Sequence, residues 1–577
     1  MKELLTLQVG DFANFVGSHF WNFQDEVLGL AEDPNGDDVF WNSGLEMDTL
    51  YRIGETRHGV ETYTPRLLAL DLRGSLGAVR SCGSLYNKAP HGDSSSVTSW
   101  TGPISTFREE PITKNKFLQS LDEEHECLSD QSAKFFSVNQ GSGQDHTYKQ
   151  ADQEIVQDLE DGVQFWTDYL KAHTHPSSLF EIQGAWNGVT PFQDFGCGRG
   201  WLSETTQAEE FQNRFRFFVE ECDHLQGIQV IVDDSGGFSG VASDLLEGLM
   251  DDFGKSPFML FTVRPPRIDV QSSSMKNSIV ETLHDAVSFS KLSSLVDLVV
   301  PLQVPNFGRS ELSRHLCIKE SSFFHTSAVY AAAISNITLP FRMRNFGPSE
   351  SYTLNIGSCD MGGMLRSLTW SSARKVAELA TALPAPAVPG ANESLDLTKL
   401  ISLSPFGQSS VDESLSVEAI VFQGARLLGS KGRASIVDVV NSAYGSNRNR
   451  SKGVNFAHLA VSLCPLAIPL PFPKIFRSSV GHYGDILADG SIQKQVRSDV
   501  SSVPVVGRLK TSQVAIPYIK EKITDLQRFG ISKASAGSSL LQQWGFPSEE
   551  ACDLKESLLE MVAGFGGNMD TSTSDSD

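Results

Sequence analysis

An apolar run that ends in a glycine-rich turn and continues as a helix constrains this sequence more than any other feature. Ile228-Gln-Val-Ile-Val232 has the composition of a buried strand, Ser235-Gly-Gly-Phe-Ser-Gly240 is the turn, and residues 241–253 repeat apolar side chains at helical spacing. This order predicts a parallel α/β sheet. The turn's N–H groups and the helix dipole would cradle a phosphate, but the glycines also suit a plain strand-to-helix turn, so local sequence leaves both interpretations open.

The remaining chain continues this alternation. Residues 4–9 predict a strand that meets Gly10, and residues 66–72 predict another. The stretch 454–473 contains four prolines, so it predicts a strand and a Pro-rich turn rather than a membrane span. Helices are predicted at 153–172, 211–224, 241–253, 279–295, 323–335, 364–383, 516–529 and 548–562. Residues 83–152 predict an exposed, partly disordered polar insertion, and residues 384–390 predict a linker.

Charge and cysteine content restrict the classes of protein. With 47 Lys and Arg against 70 Asp and Glu, the net charge of −23 repels polyphosphates, which argues against a nucleic-acid surface. The eight cysteines include no Cys-x-x-Cys pair and indicate reduced thiols in a cytosolic protein. The first residues have the pattern of neither a signal peptide nor a transit peptide, so we expect neither, and we expect no lipidation.

Four shorter motifs are weaker. Asp194-Phe-Gly-Cys-Gly-Arg-Gly200 resembles the glycine loop of a methyltransferase, but no buried strand precedes it. Residues 237–241 lack the final Gly of a nucleophile elbow, and residues 424–431 place Ser before Lys, the reverse of a P-loop. His173 and His175 would point apart on a helix, so they predict no metal site.

Two acids follow the strand at the glycine turn. Asp233 and Asp234 would repel each other and any phosphate unless a cation lay between them. The glycine turn therefore either binds a triphosphate together with magnesium or binds no phosphate at all.

Several segments occur in the same order in tubulin. Residues 9–21, 64–72, 195–201 and 221–228, together with the glycine turn, resemble tubulin. Phe20-Trp-Asn-Phe-Gln24 and Glu61-Thr-Tyr-Thr-Pro-Arg66 are similar to the Misato family, a divergent branch of the tubulin/FtsZ superfamily. The resemblance is strong over residues 1–80 and 190–345 and thin afterwards.

The resemblance implies an α/β fold. It predicts a tubulin/FtsZ-like parallel-sheet domain of the nucleotide-binding type, then a smaller α+β domain and C-terminal helices. We place these at residues 1–270, 271–505 and 506–565, with the insertion at 83–152 and an acidic tail at 566–577. Members of the Misato family are associated with mitochondrial distribution, morphology and fusion, and act from the cytoplasm and the outer mitochondrial surface.

The sequence departs from tubulin where phosphates would bind. Asp11 replaces a Gln, Ala13 replaces a Gly, and Arg73 replaces an acid. Phe238 lies in a turn that is small and polar in tubulin. Residues 327–333, which we match with tubulin's hydrolysis-activating helix, carry no carboxylate. These changes predict that the chain is not a GTPase.

The expected site is a degenerate phosphate pocket with no catalytic residue and no metal ligand. Its residues would be Gly10, Asp11, Asn14, Asp71, Gly236, Gly237, Ser239 and Gly240. We expect a non-catalytic or weakly nucleotide-binding tubulin-like protein, without a resident cofactor. It would act through protein partners, with mitochondrial outer-surface proteins and the cytoskeleton as candidates.

Two alternatives stay open. One is a GTP-binding, self-assembling cytoskeletal GTPase in which Asp11, Asp71 and Asp233 hold Mg²⁺ for the phosphates. The other is an assembly factor for cytosolic complexes that docks through the insertion and the acidic tail.

Overall fold

The computed structural model describes most of the chain. It covers residues 2–79, 112–129, 145–266, 275–344, 357–487 and 500–566, apart from gaps at 34–35, 56–60, 202–204, 305–306, 309, 370–373, 390–396, 398–399, 407–415, 430–431, 449–453 and 533–536. Most of the predicted insertion and all but the first residue of the predicted tail lie outside these ranges.

The strands follow one another through the whole described chain. They are β1 (Glu3–Val9), β2 (Tyr51–Glu55), β3 (Glu61–Pro65), β4 (Leu67–Arg73), β5 (Leu179–Trp186), β6 (Leu225–Asp233), β7 (Phe258–Val263), β8 (Leu298–Leu302), β9 (Glu378–Ala382), β10 (Ile401–Ser402), β11 (Ser416–Gln423), β12 (Val454–Ser462), β13 (Leu466–Ala467), β14 (Ser502–Val503) and β15 (Val505–Thr511).

Helices alternate with these strands and close the chain. They are α1 (Asp11–Glu32), α2 (Asp38–Trp41), α3 (Lys116–Ser129), α4 (Asp145–Gly162), α5 (Phe195–Gly198), α6 (Thr205–Glu220), α7 (Phe238–Phe253), α8 (Met275–Ser294), α9 (Phe323–Ile337), α10 (Met361–Thr369), α11 (Ile436–Arg448), α12 (Ile516–Asp525), α13 (Ser538–Gln543) and α14 (Ser548–Gly564).

The first sheet is parallel throughout. Its six strands lie in the order β5-β4-β1-β6-β7-β8. Because helices cover both faces, β1, β6 and β7 are nearly continuous apolar runs and are buried along almost their whole length. This sheet confirms the predicted parallel α/β domain and brings the carboxyl ends of β1, β4 and β6 side by side.

The second sheet is mixed and smaller. Its strands lie in the order β10-β9-β15-β11-β12, with β11 and β12 parallel and the other pairs antiparallel. The stretch that could have suggested a membrane span forms β12, as predicted. Among the described residues no helix has both the length and the apolar character needed to cross a bilayer.

Helix α9 lies between the two sheets. Every residue from Phe324 to Ile337 is buried, and the helix packs on α1 on one side and on β11 and β15 on the other. Its three consecutive alanines, Ala331 to Ala333, are fully buried and let the neighbouring backbones approach closely.

Four sequence predictions differ from the structure. The helix predicted at 153–172 ends at Gly162 and gives way to a 3₁₀ turn, Trp166–Tyr169, because the Asp168 carboxylate accepts hydrogen bonds from the N–H groups of Gln164 and Phe165. The helix predicted at 364–383 ends at Thr369, and its second half is strand β9, which pairs with β15.

The other two differences concern organisation. The predicted linker is packed, since Ala385 and Val388 are buried and Val388 N–H donates to the carbonyl of Arg426. The predicted boundary at residue 270 falls inside a β–α–β crossover, because β8 pairs with β7 in the first sheet. Within the predicted insertion, α3 buries Phe117 and Leu118 against the core, so this part is ordered.

The close packing of α9 gives a prediction. Replacing Ala332 by Leu inserts extra atoms between α1 and the second sheet, so we expect the free energy of unfolding to fall by about 1–3 kcal/mol. Ala563→Leu on the exposed face of α14 is the matched control, with an expected change within about 0.5 kcal/mol. Urea unfolding followed by circular dichroism measures both, and equal losses in the two variants would contradict this packing.

Candidate functional site

The structure brings all the predicted pocket residues to one edge of the first sheet. Gly10 follows β1, Asp71 lies near the end of β4, and the glycine turn follows β6. Asp11 and Asn14 occupy the first turns of α1. In open parallel sheets this carboxyl edge is where ligands bind.

An aromatic ring packs directly against Gly10. The backbone of Gly10 has φ 103°, a conformation that favours glycine. A Cβ atom built on it would lie 2.7 Å from Cγ of Phe238 and 2.8 Å from Cβ of Asp233. The turn before α1 therefore touches the side chain that begins α7, and the space between these two loops is filled by protein.

Several donors of the glycine turn form hydrogen bonds within the protein. Ser235 N–H and its hydroxyl donate to Asp233 Oδ1 at 3.0 and 2.6 Å, and Gly237 N–H donates to the carbonyl of Phe192 at 3.0 Å. The Ser239 hydroxyl donates to the carbonyl of Gly236 at 2.8 Å and is fully buried. These groups would have to leave their partners before they could bind a phosphate.

A second glycine-rich segment covers the turn. Residues 194–201, which include α5, pack so closely that a Cβ on Gly198 would overlap the carbonyl oxygen of Gly237. A Cβ on Gly240 would overlap the carbonyl oxygen of Phe195. On its far side, Gly196 lies against Trp544 from the end of α13. The C-terminal helices therefore hold this segment down on the turn.

Three carboxylates face one another beneath these loops. Burial, together with the charges of Asp71 and Asp233, raises the pKa of Asp11 to about 8. Burial also raises the pKa of Asp71 to about 6, against the opposing effect of its hydrogen bonds. Asp233 is buried as well, and its pKa is raised. These groups resist ionisation, and ionised they would repel phosphate oxygens.

Hydrogen bonds hold Asp71 in place. Its Oδ2 accepts from Asn14 Nδ2 and from Trp166 Nε1, both at 3.0 Å, and its Oδ1 accepts from the N–H of Leu72. Trp166 was not predicted as a site residue, because it falls inside the helix predicted at 153–172. The Arg73 guanidinium does not neutralise this acid, because it stacks on Trp186 with its carbon 4.6 Å from the ring centre.

Aromatic side chains cover the first turns of α1. The ring of Phe12 lies 5.2 Å from that of Phe323, and the ring of Phe15 lies 5.6 Å from Phe323 and 6.0 Å from Tyr169. Tyr169 in turn contacts Phe324 at 4.7 Å. Apart from the partly exposed Phe323, these rings belong to the apolar core that joins α1 to α9.

A neighbouring acid has its own buried cation. Arg264, just after β7, donates to Asp234 Oδ1 and to Asp285 Oδ1, each at 2.6 Å. Burial alone would raise the pKa of Asp285, but the charges of Arg264 and Lys522 hold it below its ordinary value. This ion-pair network ties the end of the turn to α8 and α12. Arg264 stands in no sequence motif, so this network could not be predicted.

Residues 327–333, which we matched with tubulin's hydrolysis-activating helix, lie in α9. The residues of α9 from Phe324 to Ile337 are buried, and the helix packs between α1 and the second sheet.

The pocket residues therefore do not fit a nucleoside triphosphate. A ring fills the space at Gly10, several of the turn's N–H groups have internal acceptors, and the acids, once ionised, would repel anions. Within the described ranges no group of three His, Cys, Asp or Glu side chains is placed to hold a metal ion by itself. At the positions that correspond to tubulin's phosphate-binding loops, the side chains of this chain pack against one another.

Comparison with known proteins extends these similarities along the chain. Residues 2–123 match a Misato segment II tubulin-like domain, and residues 156–343 match a tubulin domain. Protein misato homolog 1 of Bos taurus is 29% identical over 561 residues, which cover 92% of this chain and 93% of the relative.

Two further relatives agree. The Homo sapiens protein misato homolog 1 is 28% identical and covers 98% of each chain, so the similarity continues through the second sheet and the C-terminal helices. Protein DML1 of Gibberella zeae is 30% identical over 62% of this chain and 64% of its own length. Together with the tubulin-type fold described above, these matches show that the chain belongs to the Misato family of tubulin-like proteins.

Proposed function

We propose that this chain is a non-catalytic or weakly nucleotide-binding tubulin-like protein that acts in mitochondrial distribution, morphology and fusion through protein partners. The observation that carries the first part is the contact between Gly10 and Phe238, since it occupies the space between the two loops that would hold phosphates. The mitochondrial role rests on the resemblance to the Misato family.

In this proposal the chain acts by binding partners on its surface, not by a chemical reaction. A protein that neither binds nor hydrolyses GTP has no nucleotide cycle to change its conformation, so its influence on other molecules must come from what docks on it. The buried ion pairs of Arg264 and the packing of Trp544 support a fixed arrangement of the carboxyl edge. A rigid edge of this kind suits a partner-binding role.

Nucleotide content tests the non-catalytic part directly. We expect the purified full-length chain to release far less than one guanine nucleotide per protein on denaturation, as measured by ion-exchange chromatography of the supernatant. Purified tubulin, treated in the same way, is the positive control. Stoichiometric GTP or GDP would contradict the proposal.

A cellular rescue tests whether the mitochondrial role needs the turn's hydroxyl. In cells whose native gene has been deleted, we expect the mitochondrial network to be disturbed and to be restored equally by wild type and by Ser239→Ala, because that hydroxyl bonds only within its own turn. Ser243→Ala, which removes another buried hydroxyl from α7, is the matched control. An undisturbed network in the deletion strain, or failure of Ser239→Ala alone at equal protein level, would overturn the proposal.

The pH dependence of stability tests the acid cluster. Because the pKa of Asp11 in the folded chain is about 8 against an ordinary 3.8, the unfolded chain loses this proton first and stability falls as pH rises between these values. Asp11→Asn removes that loss. We expect it to match wild type near pH 4 and to be more stable by about 2 kcal/mol at pH 8, after discounting for partial exposure.

Thermal unfolding across this pH range provides the measurement. Asp251→Asn, on the exposed face of α7, is the control and should change Tm little at either pH. Asp11 also lies in the first turn of α1, where the helix dipole favours a negative charge by about 0.3–1 kcal/mol. A lower Tm for Asp11→Asn at pH 8 would mean that the dipole outweighs burial and repulsion, against this account.

A further inference from the structure

An arginine and two apolar side chains are exposed together where β4 and β5 end. Arg73 is the last residue of β4, Trp186 is the last residue of β5, and the strand register places the two opposite each other. Trp186 is 42% exposed, and Val189, in the turn that follows, is 80% exposed. Tryptophan and arginine are among the side chains that contribute most to protein–protein binding, so this surface is a candidate interface.

Hydrogen bonds fix the turn that carries the two apolar side chains. Thr190 N–H and Val189 N–H donate to the carbonyl of Trp186 at 2.9 and 3.2 Å, and Trp186 N–H donates to the Thr190 hydroxyl at 2.7 Å. Asn187 N–H donates to the carbonyl of Arg73 at 2.9 Å, which ties the turn to β4. Because this backbone is already ordered, binding of a partner here would cost little conformational entropy on the side of this chain.

The guanidinium of Arg73 is available to an anion. Its carbon lies 4.6 Å from the ring centre of Trp186, and a guanidinium stacked in this way keeps the N–H groups at its edge free to donate. The ion pairs of arginine in the described part of the chain involve other arginines. The adjacent acid Glu181 instead accepts a hydrogen bond from Gly74 N–H at 3.2 Å.

The net charge of the chain does not exclude an acidic partner. The value of −23 repels anions at long range, but at physiological ionic strength exposed charges more than about 8 Å apart are largely screened. The charge of Arg73 therefore dominates at close approach. An unpaired guanidinium beside an exposed indole ring suits a carboxylate that is accompanied by an apolar side chain.

We propose that Arg73, Trp186 and Val189 bind an acidic segment of a protein partner. A Glu or Asp carboxylate of that segment pairs with Arg73, and an aliphatic side chain packs on Trp186 and Val189. In an extended segment, side chains two residues apart lie on the same face at a spacing of about 7 Å, so the two would occupy alternate positions. This surface deepens the proposed function, on which it rests, by specifying the chemistry of the partner.

Fluorine NMR tests this surface on the full-length chain. The eight tryptophans are labelled with 5-fluorotryptophan, and the resonance lost in Trp186→Phe identifies Trp186. The probes are acetyl-Leu-Gly-Glu-Gly-Leu-amide and the same peptide with Gln in place of Glu, which keeps the shape but is neutral. We expect the acidic peptide to shift the Trp186 resonance saturably, and the neutral peptide to bind about fivefold more weakly. Equal affinities, or no saturable shift, would overturn the inference.

Variants assign the preference for the acidic peptide to one side chain. Arg73→Gln should bind the two peptides equally, whereas the control Arg216→Gln, on the exposed face of α6, should keep the wild-type preference. Val189→Ala should weaken the binding of both peptides. Circular dichroism spectra that match wild type establish that each variant is folded. An unchanged preference in folded Arg73→Gln would overturn the proposal.

Two further measurements distinguish other occupants and separate the two levels of the account. A Trp186 resonance that moves with protein concentration, and not with peptide, would mean that a second copy of this chain covers the surface, against the proposal. Stoichiometric guanine nucleotide in the same preparation would overturn the proposed function itself. A nucleotide-free chain that does not distinguish the two peptides would overturn only the docking surface.

Discussion

The packing of Phe238 against Gly10 is the contact on which the arrangement of the carboxyl edge depends. It joins the loop after β1 to the start of α7, so the two segments that a parallel sheet of this type offers to phosphates lie against each other. Several of the turn's N–H groups donate to acceptors within the protein, and residues 194–201 pack against the turn. The remaining features of the edge follow from this closure.

Closure has an electrostatic consequence. Anion sites in proteins combine hydrogen-bond donors with positive charge. This edge instead contains three acids. Arg264 is paired with Asp234, and Arg73 stacks on Trp186. The side chains at this edge therefore do not suit a phosphate. The Misato family membership of the chain fixes the fold, and the side chains at this edge decide what it can bind.

Much of the fold was predictable from local signals. The prediction was correct for the strand, turn and helix at residues 228–253 and for the apolar strand β12. A strand buried on both faces and a helix buried along one side each leave a clear pattern of apolar residues. The errors came where tertiary contacts override that pattern. Residues 378–382 look helical beside α10 but complete a sheet with β15, and the proline-containing segment after them is packed in the core.

The site was only partly predictable. Glycines and aspartates next to strand ends could be assigned to one edge, and Phe238 and Asp11 could be recognised as unsuited to phosphate. Phe192, Trp166 and Arg264 could not, since each reaches the edge from a distant segment by a hydrogen bond or ion pair that no spacing in the sequence records. For the same reason, the stacking of Arg73 on Trp186 emerges only from the folded chain.

The central claim is that protein side chains occupy the phosphate space, and a fluorescence titration with a mant-labelled GTP analogue and Mg²⁺ tests it most directly. For the wild-type chain the account predicts a linear, non-saturating signal. The same titration on Phe238→Gly shows whether the chain binds the analogue once the ring is removed. A saturable, stoichiometric transition in the wild-type protein would contradict the account.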